Sequence, residues 1–100
     1  MIQETLKSKL KEYMKAGDTQ RLGVLRYFLS LITNKEIELR GTDQSLTDEM
    51  VYKIVKKQIK NRKENIETYE KARREDLLEQ EKNELQVWEE FAQLFPQPVD

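Results

Sequence analysis

Three charged residues fall within apolar helical stripes, where a titratable side chain could take part in acid–base chemistry. At about 100° per residue, Glu36 falls among the leucines of the second predicted helix, and Arg62 falls at the centre of the apolar stripe of the third. Glu81 falls between leucines and a tryptophan in the fourth. Because an unpaired buried charge strongly destabilises a fold, we expect Arg62 to bond to Glu36, to Glu81 or to both.

Two interpretations fit this constellation, an acid–base pair of an active site and an internal ion pair that fixes the register of the helices. The chain has no histidine and no cysteine, so the commonest general base and a thiolate nucleophile are excluded. It also has no P-loop, GxGxxG or paired CxxC motif. We therefore favour a structural ion pair of Glu36, Arg62 and Glu81, and we predict no catalytic residue, cofactor or metal.

The third predicted helix carries a row of lysines in the segment KIVKKQIKNRK, residues 53–63. They lie within about a third of the helix circumference, on its outer face. Such a row suits a phosphate backbone, because each ammonium group can displace a condensed counterion. The alternative is an ordinary solvated face, partly neutralised by acidic side chains of the next helix. The members of the lysine row are Lys53, Lys56, Lys57, Lys60 and Lys63.

Four helices position these residues and predict an all-α fold, either a four-helix bundle or two packed helical hairpins. Gly17 is suited to end the first helix, and Asp18 and Thr47 are suited to cap the second and third. We expect one helical domain over 1–92 and a frayed tail over 93–100. The apolar spacing predicts helices over about 2–16, 19–39, 48–72 and 75–91.

The composition bounds the class of protein. Charged and apolar residues each make up 37% of the 100-residue chain, a balance typical of amphipathic helices in one small domain. No apolar run approaches the roughly 20 residues that span a membrane. Glu4 and Glu12 in the first helix argue against a transit peptide. We therefore expect a cytosolic protein without a membrane partner.

The net charge of −1 conceals a strong asymmetry along the chain. Residues 45–74 carry nine basic and five acidic side chains, a net charge of +4, whereas residues 75–100 carry one and eight, a net charge of −7. This separation raises the question whether the basic middle of the chain has an electrostatic role.

The order of residues in two long segments resembles the YqeY-like (GatB/YqeY) family over about residues 3–91. The first segment is RLGVLRYFLSLITNKEIELRG, and the second is LTDEMVYKIVKKQIKNRKENIETYEKARREDLLEQEKNEL. The resemblance implies a helical N-terminal domain, normally followed by a smaller helical domain. That second domain is similar to the tail of the B subunit of the glutamine-dependent tRNA amidotransferase, which helps to hold tRNA.

Two departures from the family pattern stand out. Arg73 stands where the family commonly has glycine, so we expect either a less sharp turn or a strain of about 1 kcal/mol from a left-handed residue. We expect the sequence after Phe91 to leave the family pattern, so that these 100 residues do not include the tail-like domain.

Three functions follow from these observations. The one that we favour is a non-catalytic helical module connected with tRNA or with an amidotransferase-like protein, with the lysine row as its contact surface. The second, which the family label implies, is an accessory carbon–nitrogen ligase with glutamine as amido donor, although no residue here maps onto the amidotransferase active sites. The third is a protein-interaction module unrelated to tRNA, which docks a partner or a second copy of itself through surplus apolar residues, for example Val24, Tyr27 and Leu31.

Overall fold

A computed structural model describes residues 2–96 of the chain, and within this range every regular element is a helix. The all-α class is therefore confirmed, and each predicted helix boundary lies within one residue of the observed one. None of the four helices is long and apolar enough to cross a membrane. The helices are α1 (Ile2–Ala16), α2 (Thr19–Leu39), α3 (Asp48–Lys71) and α4 (Glu75–Ala92).

The residues group into two compact units, one up to Ile54 and one from Val55 onwards. Unit 1 contains the α1–α2 hairpin and the start of α3, and unit 2 contains the rest of α3 and α4. The 24 residues of α3 make a helix about 36 Å long, so its two ends can belong to different units.

The core of unit 1 is built by the apolar stripes of α1 and α2, which pack against each other. Leu6 of α1 and Leu25 and Phe28 of α2 are completely buried. Val24 is also in this core, with only 8% of its surface exposed, and Leu31 is half-buried. Of the three residues expected to dock a partner, only Tyr27 is substantially exposed, at 47%. A contiguous apolar docking surface on α2 is therefore not observed.

The core of unit 2 is centred on the aromatic residues of α4. The rings of Trp88 and Phe91 are both buried and pack edge to face, with their centroids 5.8 Å apart. Phe95, beyond the end of α4, is only 5% exposed, and its backbone N–H donates to the carbonyl of Ala92. Of the tail that we expected to be frayed, residues 93–96 are described, and Phe95 among them is buried. Residues 97–100 of the expected tail lie outside the described residues.

Helix α1 ends in a Schellman motif. The backbone N–H of Asp18 donates to the carbonyl of Tyr13 at 3.0 Å, and that of Gly17 donates to Met14 at 3.3 Å. Gly17 has φ +65°, the left-handed conformation that glycine adopts without strain. The predicted stop at Gly17 is thus confirmed.

Helix α3 ends in the same motif, but with arginine in the glycine position. The N–H of Arg74 donates to the carbonyl of Tyr69 at 3.0 Å, and that of Arg73 donates to Glu70 at 3.3 Å. Arg73 has φ +56° and is the only non-glycine residue with positive φ among residues 2–96. Of the two alternatives expected at this position, the structure has the sharp turn with a strained left-handed residue.

Both predicted N-caps are in place. Oδ1 of Asp18 accepts a hydrogen bond from the backbone N–H of Arg21 at 3.1 Å, and Oδ2 accepts one from the Arg21 guanidinium at 2.9 Å. The backbone bond first and the side-chain bond second hold the pKa of Asp18 below its usual value. At the start of α3, the hydroxyl of Thr47 accepts a hydrogen bond from the backbone N–H of Met50 at 3.2 Å.

We expect Arg73→Gly to raise the free energy of unfolding by about 0.5–1 kcal/mol, because glycine relieves the left-handed strain and loses only part of that gain to greater freedom in the unfolded chain. The matched control is Gly17→Ala, which places a side chain in the same conformation. No atom lies within 4 Å of an added Cβ at Gly17, so its loss of about 1 kcal/mol would come from backbone strain alone. Urea denaturation measures both changes, and an unchanged or lowered stability for Arg73→Gly would contradict strain at this turn.

Candidate nucleic-acid interface

Arg62 lies in unit 2, where its guanidinium contacts carboxylates of α4. Nη1 of Arg62 is 3.2 Å from Oε2 of Glu81 and 3.8 Å from Oε2 of Glu84. Nη2 donates a hydrogen bond to Oε1 of Gln58 at 3.1 Å. The side chains of Arg62 and Glu81 are 18% and 13% exposed, so the pair is largely shielded from solvent and links α3 to α4.

Glu36 is not part of this cluster. It is exposed near the end of α2, where it borders a shallow depression beside the loop from Gly41 to Leu46. The internal ion pair that we expected from three residues therefore contains only Arg62 and Glu81 of that set. The physical reason is that burial along this face of α2 ends at Ile32, which lies one turn before Glu36 on the same side of the helix.

Sequence reasoning missed two members of the cluster, Glu84 and Gln58. The spacing held a signal for both, because Glu84 follows Glu81 by three residues and Gln58 precedes Arg62 by four, which places each pair on one helix face. Gln58 is the buried polar side chain of the described core, at 6% exposure. Its bond to Arg62 compensates that burial, although Nε of Arg62 is buried without a hydrogen-bond partner in the described part of the chain.

The lysine row is exposed on α3 over its whole length. Lys53 belongs to unit 1, and the other four lysines belong to unit 2. For Lys57, Lys60 and Lys63, no carboxylate of residues 2–96 lies within 4.0 Å of the ammonium group. The acidic stretch of α4 therefore does not neutralise these three lysines by direct ion pairing.

Part of the row borders a shallow depression on the surface of unit 2. Lys56, Lys60 and Lys63 line it together with the half-buried Ile59, and Glu64 and Glu67 complete its border. Ammonium groups beside an open apolar floor offer electrostatic attraction to an anion. Among residues 2–96, no cluster of three or more acidic side chains is arranged to hold a metal ion.

The sequence of this chain matches the family model described as "Yqey-like protein" over residues 3–100. The chain belongs to the YqeY-like family. The match extends past Phe91. Our expectation that this YqeY-like chain leaves the family pattern after Phe91 is therefore wrong.

Relatives of this YqeY-like chain occur in yeasts. The chain is 38% identical over 91 residues to "Altered inheritance of mitochondria protein 41, mitochondrial" of Kluyveromyces lactis. The aligned residues make up 91% of this chain and 48% of the relative. The protein of the same name from Lachancea thermotolerans is 36% identical over 91 residues, with the same coverage. An uncharacterised protein of Schizosaccharomyces pombe is 34% identical over 90 residues, covering 90% of this chain and 71% of the relative. The chain thus spans about half the length of the first two relatives.

The names of these relatives overturn the expected cytosolic location, because the two most similar of those described above are called mitochondrial. Our expectation rested on Glu4 and Glu12, which lie in α1, a helix that packs in the core of unit 1. A transit peptide is separate from the folded domain that it delivers, so acidic residues within α1 carry no information about it.

A double-mutant cycle tests the Arg62–Glu81 pair. We expect Arg62→Met and Glu81→Leu each to lower the free energy of unfolding by about 1–2 kcal/mol, since each leaves a partly buried charge without its partner. The double variant should recover part of the loss, because no stranded charge remains at these two positions, while Gln58 still lacks its bond to Arg62. Urea denaturation of all four proteins measures the coupling.

The control for this cycle is Glu36→Ala, which removes a carboxylate that is exposed in the structure. Its effect should stay within about 0.5 kcal/mol, as is usual for a surface substitution. Strictly additive losses for Arg62→Met and Glu81→Leu, or a large loss for Glu36→Ala, would contradict the observed pairing.

Proposed function

We propose that this chain is a non-catalytic helical module that binds the phosphate backbone of an RNA of the tRNA class through the lysine row of α3. The observation that carries the proposal is the exposure of Lys57, Lys60 and Lys63 without a carboxylate of residues 2–96 near their ammonium groups. Such ammonium groups can displace the cations that are condensed along a phosphate backbone, and the release of those cations favours binding.

The dimensions of the row suit a short length of one strand. Lys56 and Lys63 are seven residues apart, which corresponds to about 10 Å along the helix axis. One strand presents a phosphate about every 3.4 Å of helix rise, so the four lysines of unit 2 can serve about three phosphates. Lysine side chains adapt to such a target, because each presents a point charge on a flexible stem.

The net charge of the protein cannot attract a phosphate backbone, so binding must depend on a local group of positive charges. The whole chain is almost neutral, and residues 75–100 carry a net charge of −7, so a phosphate backbone gains nothing from the average charge of the protein. Attraction must come from the lysine row itself. The choice of tRNA as the first ligand is supported by the second domain that normally follows this one in the family, which is similar to a tRNA-holding tail.

Binding is measured by the anisotropy of a fluorescent tRNA titrated with the protein. We expect micromolar affinity at 50 mM salt and a slope of about −3 for log K against log salt, which corresponds to roughly 60-fold weaker binding at 200 mM salt. The triple variant Lys57→Gln, Lys60→Gln and Lys63→Gln should lose at least about tenfold in affinity and most of its salt dependence.

A second triple variant on α1 serves as the matched control. Lys7, Lys11 and Lys15 are also exposed, and no carboxylate of the described chain lies within 4.0 Å of their ammonium groups. Changing these three to glutamine removes the same net charge and should leave the affinity within about twofold of the parent. Equal losses in the two triple variants, or no binding by the parent protein even at 50 mM salt, would contradict a role for the lysine row.

We propose further that the chain acts in mitochondria, because its relatives from Kluyveromyces lactis and Lachancea thermotolerans are named as mitochondrial proteins. A tagged form expressed from its own gene should then be enriched in purified mitochondria and protected from added protease until the membranes are opened. Recovery of the protein with soluble cytosolic markers would contradict this location.

A further inference from the structure

The positive surface of α3 ends abruptly after Lys63. The next residue, Glu64, and then Glu67 lie on the same third of the helix circumference as the lysine row. Both carboxylates are exposed, and both border the depression that Lys56 and Lys60 also line. The row therefore meets negative charge on its own face within one helical turn.

The two carboxylates differ in how far they are neutralised. Oε1 of Glu67 lies 3.6 Å from Nζ of Lys71, an i, i+4 pair in the favourable order. The carboxylate of Glu64 has no cation of residues 2–96 within 4.0 Å. Lys60 is four residues before Glu64, which is the less favourable order for an i, i+4 pair. Glu64 thus presents an uncompensated negative charge at the end of the row.

We propose that Glu64 and Glu67 terminate the phosphate-binding surface and limit it to about three phosphates, so that a bound strand must leave α3 beyond Lys63. This inference rests on the proposed function. Without these carboxylates the row would continue to Lys71, which lies on the same face of the helix. In the structure the ammonium group of Lys71 is paired with the carboxylate of Glu67. A surface that ends after Lys63 fits a strand that bends away from α3 or ends at this point. It disfavours a strand that runs straight along the whole helix.

The test is the double variant Glu64→Gln and Glu67→Gln in the tRNA anisotropy assay. Removal of two repelling charges should tighten binding about three- to tenfold at 100 mM salt. Release of Lys71 adds one cation to the row, so the slope of log K against log salt should become steeper by about 0.7–0.9. A steeper slope separates a longer contact surface from a general change of net charge.

The matched control is Glu79→Gln and Glu89→Gln on α4. Both residues are exposed, no cation of residues 2–96 lies within 4.0 Å of their carboxylates, and the pair removes the same charge from unit 2. We expect less than about twofold tightening and an unchanged slope. Equal tightening in both double variants would overturn the inference, because net charge alone would then explain the effect.

The remaining outcomes separate this inference from the proposed function. If the parent protein binds tRNA and the Glu64/Glu67 variant binds no better, the termination is wrong and the lysine row stands. If only the variant binds, the carboxylates do block the surface, and the parent protein is not a tRNA-binding module. If neither protein binds at 50 mM salt, both proposals fail.

Discussion

The rotation of α3 about its own axis is the constraint on which the surface of unit 2 depends. Arg62 points its guanidinium at Glu81 of α4, and the buried Gln58 lies one turn before it on the same side of α3. Lys60 precedes Arg62 by two residues, which places it about 160° away around the helix. Holding Arg62 inward therefore holds the lysine row outward. A largely shielded ion pair in the seam of the hairpin and a basic outer face are two consequences of one helix orientation.

The turns that end α1 and α3 have the same backbone conformation but different residues at the left-handed position. Both α1 and α3 end in the same pair of hydrogen bonds around a left-handed residue, Gly17 in one and Arg73 in the other. In each case the next residue is the N-cap of the following helix, with Asp18 at φ −81° and ψ 82° and Arg74 at φ −96° and ψ 76°. Asp18 adds a side-chain cap and Arg74 adds none. The connection in unit 2 is therefore the less stabilised of the two, through both backbone strain and the missing cap.

Charge in this chain is separated between neighbouring helices. Several acidic side chains of α4 remain exposed and unpaired with the lysine row, while two others, Glu81 and Glu84, serve the Arg62 cluster. An almost neutral protein can in this way present a locally basic surface to an anion. The same local character underlies our proposal that Glu64 limits the extent of that surface.

The sequence by itself determined the features that arise from local interactions. Helix boundaries followed from Gly17, Asp18 and Thr47, because stops and caps act within one turn of backbone. Exposure of the lysine row also followed from spacing alone, since helical periodicity decides which residues share a face.

Only the tertiary structure decided how far burial extends along each face. The same periodicity placed Glu36 and Glu81 in apolar stripes, yet Glu36 is exposed beyond the end of its core and Glu81 is shielded beside Arg62. Phe95 is buried against unit 2 although it lies outside any regular helix, and the chain divides into two units within α3. Periodicity assigns a residue to one side of a helix, but the length of the neighbouring element decides whether that side is covered.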